Sequence, residues 1–579
     1  MSLTHDRTHK WWGWGHESEV GFDFSARPGA WPFIASRVDA PIDPPIQNPI
    51  GFDAILLPPR RATPILLDAL ERAVGAAHVS VTVADRINHA YGKSFADLWR
   101  ARRGRFDRAP DVIVCPQDEE AIEAVLKIAV AHDALVIPFG GGTNICGALD
   151  PEGRSERPVI SLDMAGMDRI LSIDPISGSA YVQAGIFGPA LEKELQRHGL
   201  TLGHFPDSFL YSTLGGWVAT RSSGMQSDRY GNIEDLVQAL TVITPAGRFS
   251  THNVPRRSAG PELRETFIGS EGIFGVIAAV VIRVRPAPER RIVRGFLFPD
   301  FASGVESARE VVKNRLSPVM FRLNDVEKTG LTFAFKETQP WPSRLLAQAV
   351  KKGIKTFTRV DPSFCCLAIV GFEGDNATIR RETRAVKRVF RRHGAVDIGT
   401  GLDSSFEKSK FDYPHLRDFI MDRGVVADVS ETSTQWSNVM PLYNHLKEKV
   451  GAFAANEKLK VTIGCHVSHT YSSGASLYFT YAFYRPDEDA LELYRGLKAC
   501  TEEAFLEAGG TLSHHHSVGT EHRAWLAREV SPEQINMIRA VKRTLDPSNI
   551  MNPGKLLTGD DETERSDTAT VPLSPSRQL

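Results

Sequence analysis

The chain has 579 residues, of which 42% are hydrophobic and 24% charged, so it holds enough apolar material for one or more buried cores. Its 68 Lys and Arg stand against 70 Asp and Glu, a formal net charge of −2. That balance excludes the electrostatic case for nucleic acid as a partner, and for an anionic membrane as the main one.

In chain order, Met1 to Trp12 carries charges and two tryptophans but no apolar h-region, so no secretory signal is expected. Residues 1–105 read as an N-terminal extension broken by Pro41, Pro44, Pro45 and Pro49, with a short helix at Pro64–Val74. A βαβ unit follows: a strand at Val112–Cys115, helical periodicity over Asp118–Ala131 through Ile122, Val125, Leu126 and Ala129, and a strand at Leu135–Pro138. It ends in Pro138-Phe139-Gly140-Gly141-Gly142-Thr143-Asn144. No helix can follow these glycines, because Ala148 to Pro158 has no apolar periodicity. The run therefore reads as a loop whose backbone N–H groups wrap a pyrophosphate, or simply as a turn.

Three more segments rich in small residues lie downstream: Pro206-Asp207-Ser208-Phe209-Leu210-Tyr211-Ser212, then Ala219-Thr220-Arg221-Ser222, then Gly269-Ser270-Glu271-Gly272-Ile273-Phe274-Gly275. One such loop is usually a turn; four of them interleaved with short strands read as contacts to a large phosphate-bearing cofactor. The apolar stretch Ile273–Ile282 is far shorter than the roughly 20 residues of a spanning helix and reads as a buried strand. Strands at Phe296–Phe298, Val319–Leu323, Phe364–Phe372 and Ala395–Ile398, with helices at Phe301–Val312 and Ala377–Arg392, give an α+β order. Lys351–Lys355 and the arginines from Arg380 to Arg392 read as solvated basic faces, with a weak membrane-surface contact as the lesser reading. The strand Ser476–Phe483 alternates, setting Leu477, Phe479, Tyr481 and Phe483 against Tyr478, Thr480 and Ala482. His514, His515 and His516 are expected on a strand, with no further cluster nearby to suggest a metal. The six cysteines show no CxxC or zinc spacing, so free thiols in a reducing, cytoplasmic setting are expected. The polar tail, 559–579, reads as disordered, and its Arg577-Gln578-Leu579 is not a Ser-Lys-Leu peroxisomal address.

The four loops resemble, in order and spacing, the cofactor loops of the vanillyl-alcohol-oxidase (PCMH-type) FAD-binding superfamily. The resemblance implies an α+β fold: a PCMH-type FAD-binding domain of two α/β subdomains at 106–290, and an α+β cap with an antiparallel sheet at 291–510. A C-terminal segment at 511–558 would return to the cofactor. The first loop has no histidine for attachment, so non-covalent FAD is expected, with His204 packed near it. Trp11-Trp12-Gly13-Trp14-Gly15, Gly203-His204, Gly231-Asn232-Ile233-Glu234-Asp235-Leu236 and the His triplet are similar to the alkyldihydroxyacetonephosphate synthase family. That likeness implies exchange of the acyl chain of acyl-dihydroxyacetone phosphate for a long-chain fatty alcohol, without net redox, by a homodimer.

The likeness further implies Tyr478 as general acid/base, Arg417 as the substrate-binding arginine, and Arg322, His514, His515 and His516 as residues of the catalytic site. A guanidinium fork suits a phosphate, whereas on pattern alone both arginines read as surface cations. Three features depart from that family: Asn552-Pro553-Gly554-Lys555-Leu556-Leu557, Tyr91-Gly92-Lys93-Ser94 and His466. The first is an ending common to FAD-linked 2-hydroxyacid oxidases and dehydrogenases, which form the alternative reading. A flavin-binding assembly protein without turnover is the third.

Overall fold

The computed structural model describes residues 9–19, 24–151, 155–335, 356, 358, 360–401 and 410–557. The basic run Lys351–Lys355 and the polar tail lie outside them. Among the described residues no helix is long and apolar enough to cross a membrane.

Three sheets organise the chain. The first runs β1 (Val79–Ser80), β2 (Val112–Val114), β4 (Val159–Asp163), β3 (Leu135–Phe139). Its β2–β4 and β3–β4 pairs are parallel, as the βαβ pattern requires. The crossover helix Glu119–Ala131 begins where Asp118 accepts from the N–H of Ala121, and it buries the predicted Ile122, Val125, Leu126 and Ala129.

The second sheet is antiparallel: β5 (Ile170–Asp174), β6 (Ser179–Gln183), β10 (Val276–Arg283), β8 (Val237–Thr244), β9 (Gly247–Ser250). The apolar stretch seen in the sequence is its central strand β10, buried on both faces. A two-residue pairing of β7 (Leu200–Thr201) with β11 (Arg285–Pro286) leads into the third sheet.

That sheet has seven antiparallel strands: β15 (Val396–Gly399), β12 (Arg290–Phe298), β14 (Cys366–Gly374), β13 (Met320–Asn324), β17 (Thr462–Thr470), β18 (Gly474–Tyr484), β16 (Val425–Gln435). Helices Phe301–Lys313, Asn376–Arg392, Val439–Asn456 and Ala490–Glu507 cover one face and form the largest core with it. On Asn376–Arg392, Ile379, Val386, Val389 and Phe390 face that core while Arg380, Arg381, Arg384 and Arg388 face solvent. The other face of the sheet looks toward the first two sheets across a cavity.

Two expectations need correction. Residues 9–105 are not a loose extension: β1 pairs with β2, helix Ala30–Val38 packs on the large sheet, and the Trp11–Gly15 segment folds onto helix Tyr413–Met421. In that fold the Trp14 N–H donates to Asp418 at 2.9 Å, and a Cβ on Gly13 would collide with the same carboxylate. The second correction concerns the histidine triplet, which is a bend and not a strand. The Glu431 carboxylate draws the backbone around itself, accepting from the N–H groups of His514 (2.5 Å), His515 (3.0 Å) and His516 (2.9 Å) and from Ser513 Oγ (2.8 Å). A chain curled about one carboxylate cannot also form a ladder, so alternation does not order these side chains.

Candidate active site

A cavity with about 2630 Å³ of empty space, its open mouth included, lies between the large sheet and the loops of the other two. Of the first predicted loop, Pro138, Phe139, Gly140, Gly141, Gly142, Thr143 and Asn144 all line it. The second contributes Pro206, Asp207, Ser208 and Ser212, the third Ala219, Thr220 and Ser222, and the fourth Glu271, Gly272 and Gly275.

The loops support one another. The N–H groups of Gly269 and Glu271 donate to the carbonyls of Val218 (2.9 Å) and Ala219 (2.8 Å), tying the fourth loop to the third. The first loop lies so close on the second that a Cβ at Gly141 would strike the Tyr211 carbonyl, and one at Gly140 the Thr213 hydroxyl. Among the described residues nothing accepts from the backbone N–H groups of Gly140, Gly141, Gly142, Thr143 and Asn144. Five successive unused donors at the carboxyl end of a parallel strand form a cradle for a pyrophosphate, so the residues present fit a dinucleotide.

The remaining predicted cofactor residues stand one layer back. Phe209, Ile273 and Phe274 belong to the core of the second sheet. Tyr211 donates to Glu19 at 2.6 Å, and Gly269 and Ser270 shape the loop without facing the cavity. Leu210 is exposed, and Arg221 points outward to Glu265 at 2.7 Å. His204 is buried behind Ser222, 2.8 Å from its hydroxyl, and burial lowers its pKa to about 3.

The opposite wall is the third sheet. Register pairs Asn324 with His466, His466 with Tyr478, and Tyr478 with Glu431, so these four polar residues form one row across β13, β17, β18 and β16. The neighbouring row on the other face is Leu323, Val467, Leu477 and Thr432, all buried. Tyr478 thus faces the cavity, enclosed by the rings of His466 (4.8 Å between centroids), His516 (5.4 Å) and His515 (5.9 Å), with Lys328 Nζ 5.6 Å from its own ring.

Burial dominates the electrostatics here. It holds the Tyr478 phenol well above its usual pKa, with Asp207 adding to the rise and Arg417 and Arg322 opposing it. It lowers His515 to about 4 and holds His466, His514 and His516 well below their usual value, so all four imidazoles are neutral at pH 7. It raises Glu431 to about 7. His515 and His516 line the cavity, whereas His514 sits behind them, its Nε2 2.5 Å from the Tyr471 hydroxyl. Nitrogens of His469, His514 and His515 lie within 4.8 Å of one another, as do donor atoms of Glu431, His515 and His516. The first set is largely spent on neighbours: His469 on Gly224 O and Ser468, His514 on Tyr471 and His515.

Arg417 is no surface cation. One nitrogen donates to Asp428 at 2.5 Å and another to the Lys93 carbonyl at 2.7 Å, which places it rigidly in the wall. Arg322 also lines the cavity, with its guanidinium 5.6 Å from the ring of Tyr413. Several lining residues escaped sequence reasoning. Lys328 follows Asp325, whose carboxylate caps helix Val326–Ala334, and that helix start was not foreseen. Asn552 lines the cavity and donates to the carbonyls of Ala148 (3.1 Å) and Glu271 (2.7 Å). At one end the wall is apolar, built from Leu331, Phe335, Leu416, Ile420 and Ala427, which are scattered in sequence and show no pattern.

Comparison with known proteins agrees with this layout. A family model described as "FAD binding domain" matches residues 110–252, and one described as "FAD linked oxidases, C-terminal domain" matches residues 287–556. The chain is 35% identical over 515 residues to an alkyldihydroxyacetonephosphate synthase of Trypanosoma brucei brucei, covering 89% of this chain and 84% of that one. Its identity to one of Caenorhabditis elegans is 34% over 573 residues, covering 95% and 96%. A solved alkyldihydroxyacetonephosphate synthase structure superposes with a TM-score of 0.82 at 32% identity, over 95% of this chain and 99% of that chain.

Proposed function

Since the chain belongs to the alkyldihydroxyacetonephosphate synthase family and carries an FAD-binding domain, we propose that it exchanges the acyl chain of acyl-dihydroxyacetone phosphate for a long-chain fatty alcohol. The ester C–O bond breaks and a fatty acid leaves; an ether C–O bond forms to the alcohol oxygen; there is no net redox change. FAD, when bound, would supply the reactive ring against which the exchange takes place, without being consumed. The carrying observation is one cavity with an N–H cradle on one wall, the Tyr478 row on the other and an apolar end for an alkyl chain.

The side chains divide the work. The Tyr478 phenol keeps its proton at neutral pH, so it donates at Oη to a substrate oxygen and can hand the proton over as that oxygen leaves. Arg417, fixed by Asp428, holds a cation beside Tyr478 that stabilises the phenolate formed when the proton goes. Neutral His515 and His516 give or take hydrogen bonds without adding charge. The backbone of Gly140–Asn144 would hold the cofactor pyrophosphate, non-covalently.

We take residues 106–290 as the cofactor-binding unit, 291–510 as the cap and 511–558 as the returning segment. A homodimer is proposed from the family likeness, a cytoplasmic setting from the free-thiol composition and a weak membrane-surface contact from the basic helix face; sedimentation with and without vesicles tests the assembly and the contact. The reaction is tested by mixing the yellow protein anaerobically with palmitoyl-dihydroxyacetone phosphate and hexadecanol. Released palmitate with alkyl product, and no net flavin reduction, is expected. Absence of product while a 2-hydroxy acid bleaches the flavin would replace this reading with an FAD-linked oxidase.

A further inference from the structure

Among the described residues three side-chain cations line the cavity: Arg322, Lys328 and Arg417. Arg417 has committed one N–H of each terminal nitrogen, to Asp428 and Lys93 O, so it is fixed in the wall with its charge balanced by a carboxylate. The other two differ. Among the described residues, no hydrogen-bond acceptor or carboxylate lies within bonding distance of the Arg322 guanidinium or of Lys328 Nζ. Both come from adjoining elements, Arg322 from β13 and Lys328 from the first turn of the helix that follows it.

We propose that Lys328 and Arg322 together receive the phosphate of the substrate, on the cap wall across from the Gly140–Asn144 cradle. This rests on the acyl-exchange reading for the identity of the phosphate ester. Two cations with no carboxylate in bonding contact repel each other, and a dianion between them removes that repulsion. The arrangement leaves a trace on Lys328. Burial first, and Arg322 second, lower its pKa to about 7, so at pH 8 most of it is a neutral amine. A bound dianion restores the ammonium form, and binding therefore takes up a proton.

The groups facing Lys328 leave this signal clean. Tyr478 on β18 and Cys465 on β17 are pushed up by burial, and His466 on β17 is held well below its usual value, so none of them changes charge near pH 8. Asp325 accepts from the Tyr443 hydroxyl at 3.0 Å and from the Lys328 backbone N–H at 2.9 Å. Asp207, from the second loop, is the facing carboxylate; it excludes an anion from its own side and biases the phosphate toward the cap.

The test is calorimetric titration of the FAD-loaded enzyme with dihydroxyacetone phosphate at pH 8, in two buffers of different ionisation enthalpy. Wild type is expected to take up most of one proton per ester bound. Lys328→Met should bind at least tenfold more weakly and take up none. Lys328→Arg, permanently charged, should restore affinity without proton uptake, a split that a merely structural role would not produce. Undiminished binding in Lys328→Met, proton uptake that persists in it, or no binding to wild type would overturn the proposal. If proton-coupled binding appears but wild type forms no ether product, the exchange reading falls and the anion site stands. If wild type makes ether product while Lys328→Met binds normally, the anion site alone is wrong.

Discussion

Tyr478 holds its proton at neutral pH because burial outweighs the pull of Arg417 and Arg322. Removing its hydroxyl should therefore remove an acid/base group and little else. Tyr478→Phe is expected to lower the exchange rate by about 10²–10⁴-fold while the protein stays yellow, checked by product formation beside the flavin absorbance. His515 supplies a second residue-scale prediction. Its folded pKa of about 4 lies below the unfolded value of about 6.5, so between these pH values the unfolded chain binds a proton that the folded one refuses. Stability from this group rises with pH across that window and is lost on acidification. His515→Gln should therefore lose about 2–3 kcal/mol less than wild type between pH 7 and pH 4.5, by thermal melts at both. Alternation told which face of its strand Tyr478 and Arg322 occupy, and the family resemblance alone made them site residues; Lys328 was not legible, because a cap at Asp325 turned the chain into a helix that no periodicity announced.

Strand β18 separates chemistry from stability by one residue. Phe479, next to Tyr478, is fully buried against Phe505 and Tyr443 on the far side of the sheet. Phe479→Ala should cost about 3–5 kcal/mol in denaturant unfolding, whereas Tyr478→Phe leaves the midpoint nearly unchanged. Period two made both faces of this strand readable in advance, as 3.6 periodicity did for helix Glu119–Ala131. The same reasoning failed at His514–His516, where local alternation lost to Glu431, a residue more than eighty positions earlier. The cofactor loops fell between these cases. Their order and small residues gave them away, but which members face the cavity depends on contacts between loops, as the outward turn of Arg221 shows.

For the whole molecule, the segment after the last helix acts as a latch. Met551 bridges to Val136 beside β3, and Val136 exchanges backbone bonds with Ile550 (2.8 Å) and Asn552 (2.9 Å). Lys542 Nζ donates to the carbonyls of Ile273 (2.8 Å) and Met551 (2.6 Å). The Asn552 side chain thus joins the fourth loop to the segment after the first. Asn552→Ala is expected to weaken FAD retention by about tenfold, the loss of one or two hydrogen bonds, measured as flavin released on dilution. In the sequence this ending spoke only for a family of oxidases; its mechanical part depends on a pairing across some four hundred residues.

Helix Ala30–Val38 has a similar reach. Its Ile34 and Val38 share one apolar cluster with Ile420, Ala427, Leu331, Phe335 and Leu416, the residues that close the greasy end of the cavity, yet neither lines the cavity itself. The depth of that end is set from behind. Trimming Ile34 is expected to let that wall recede without altering any residue that lines the cavity, and so to shift the chain length the proposed exchange accepts.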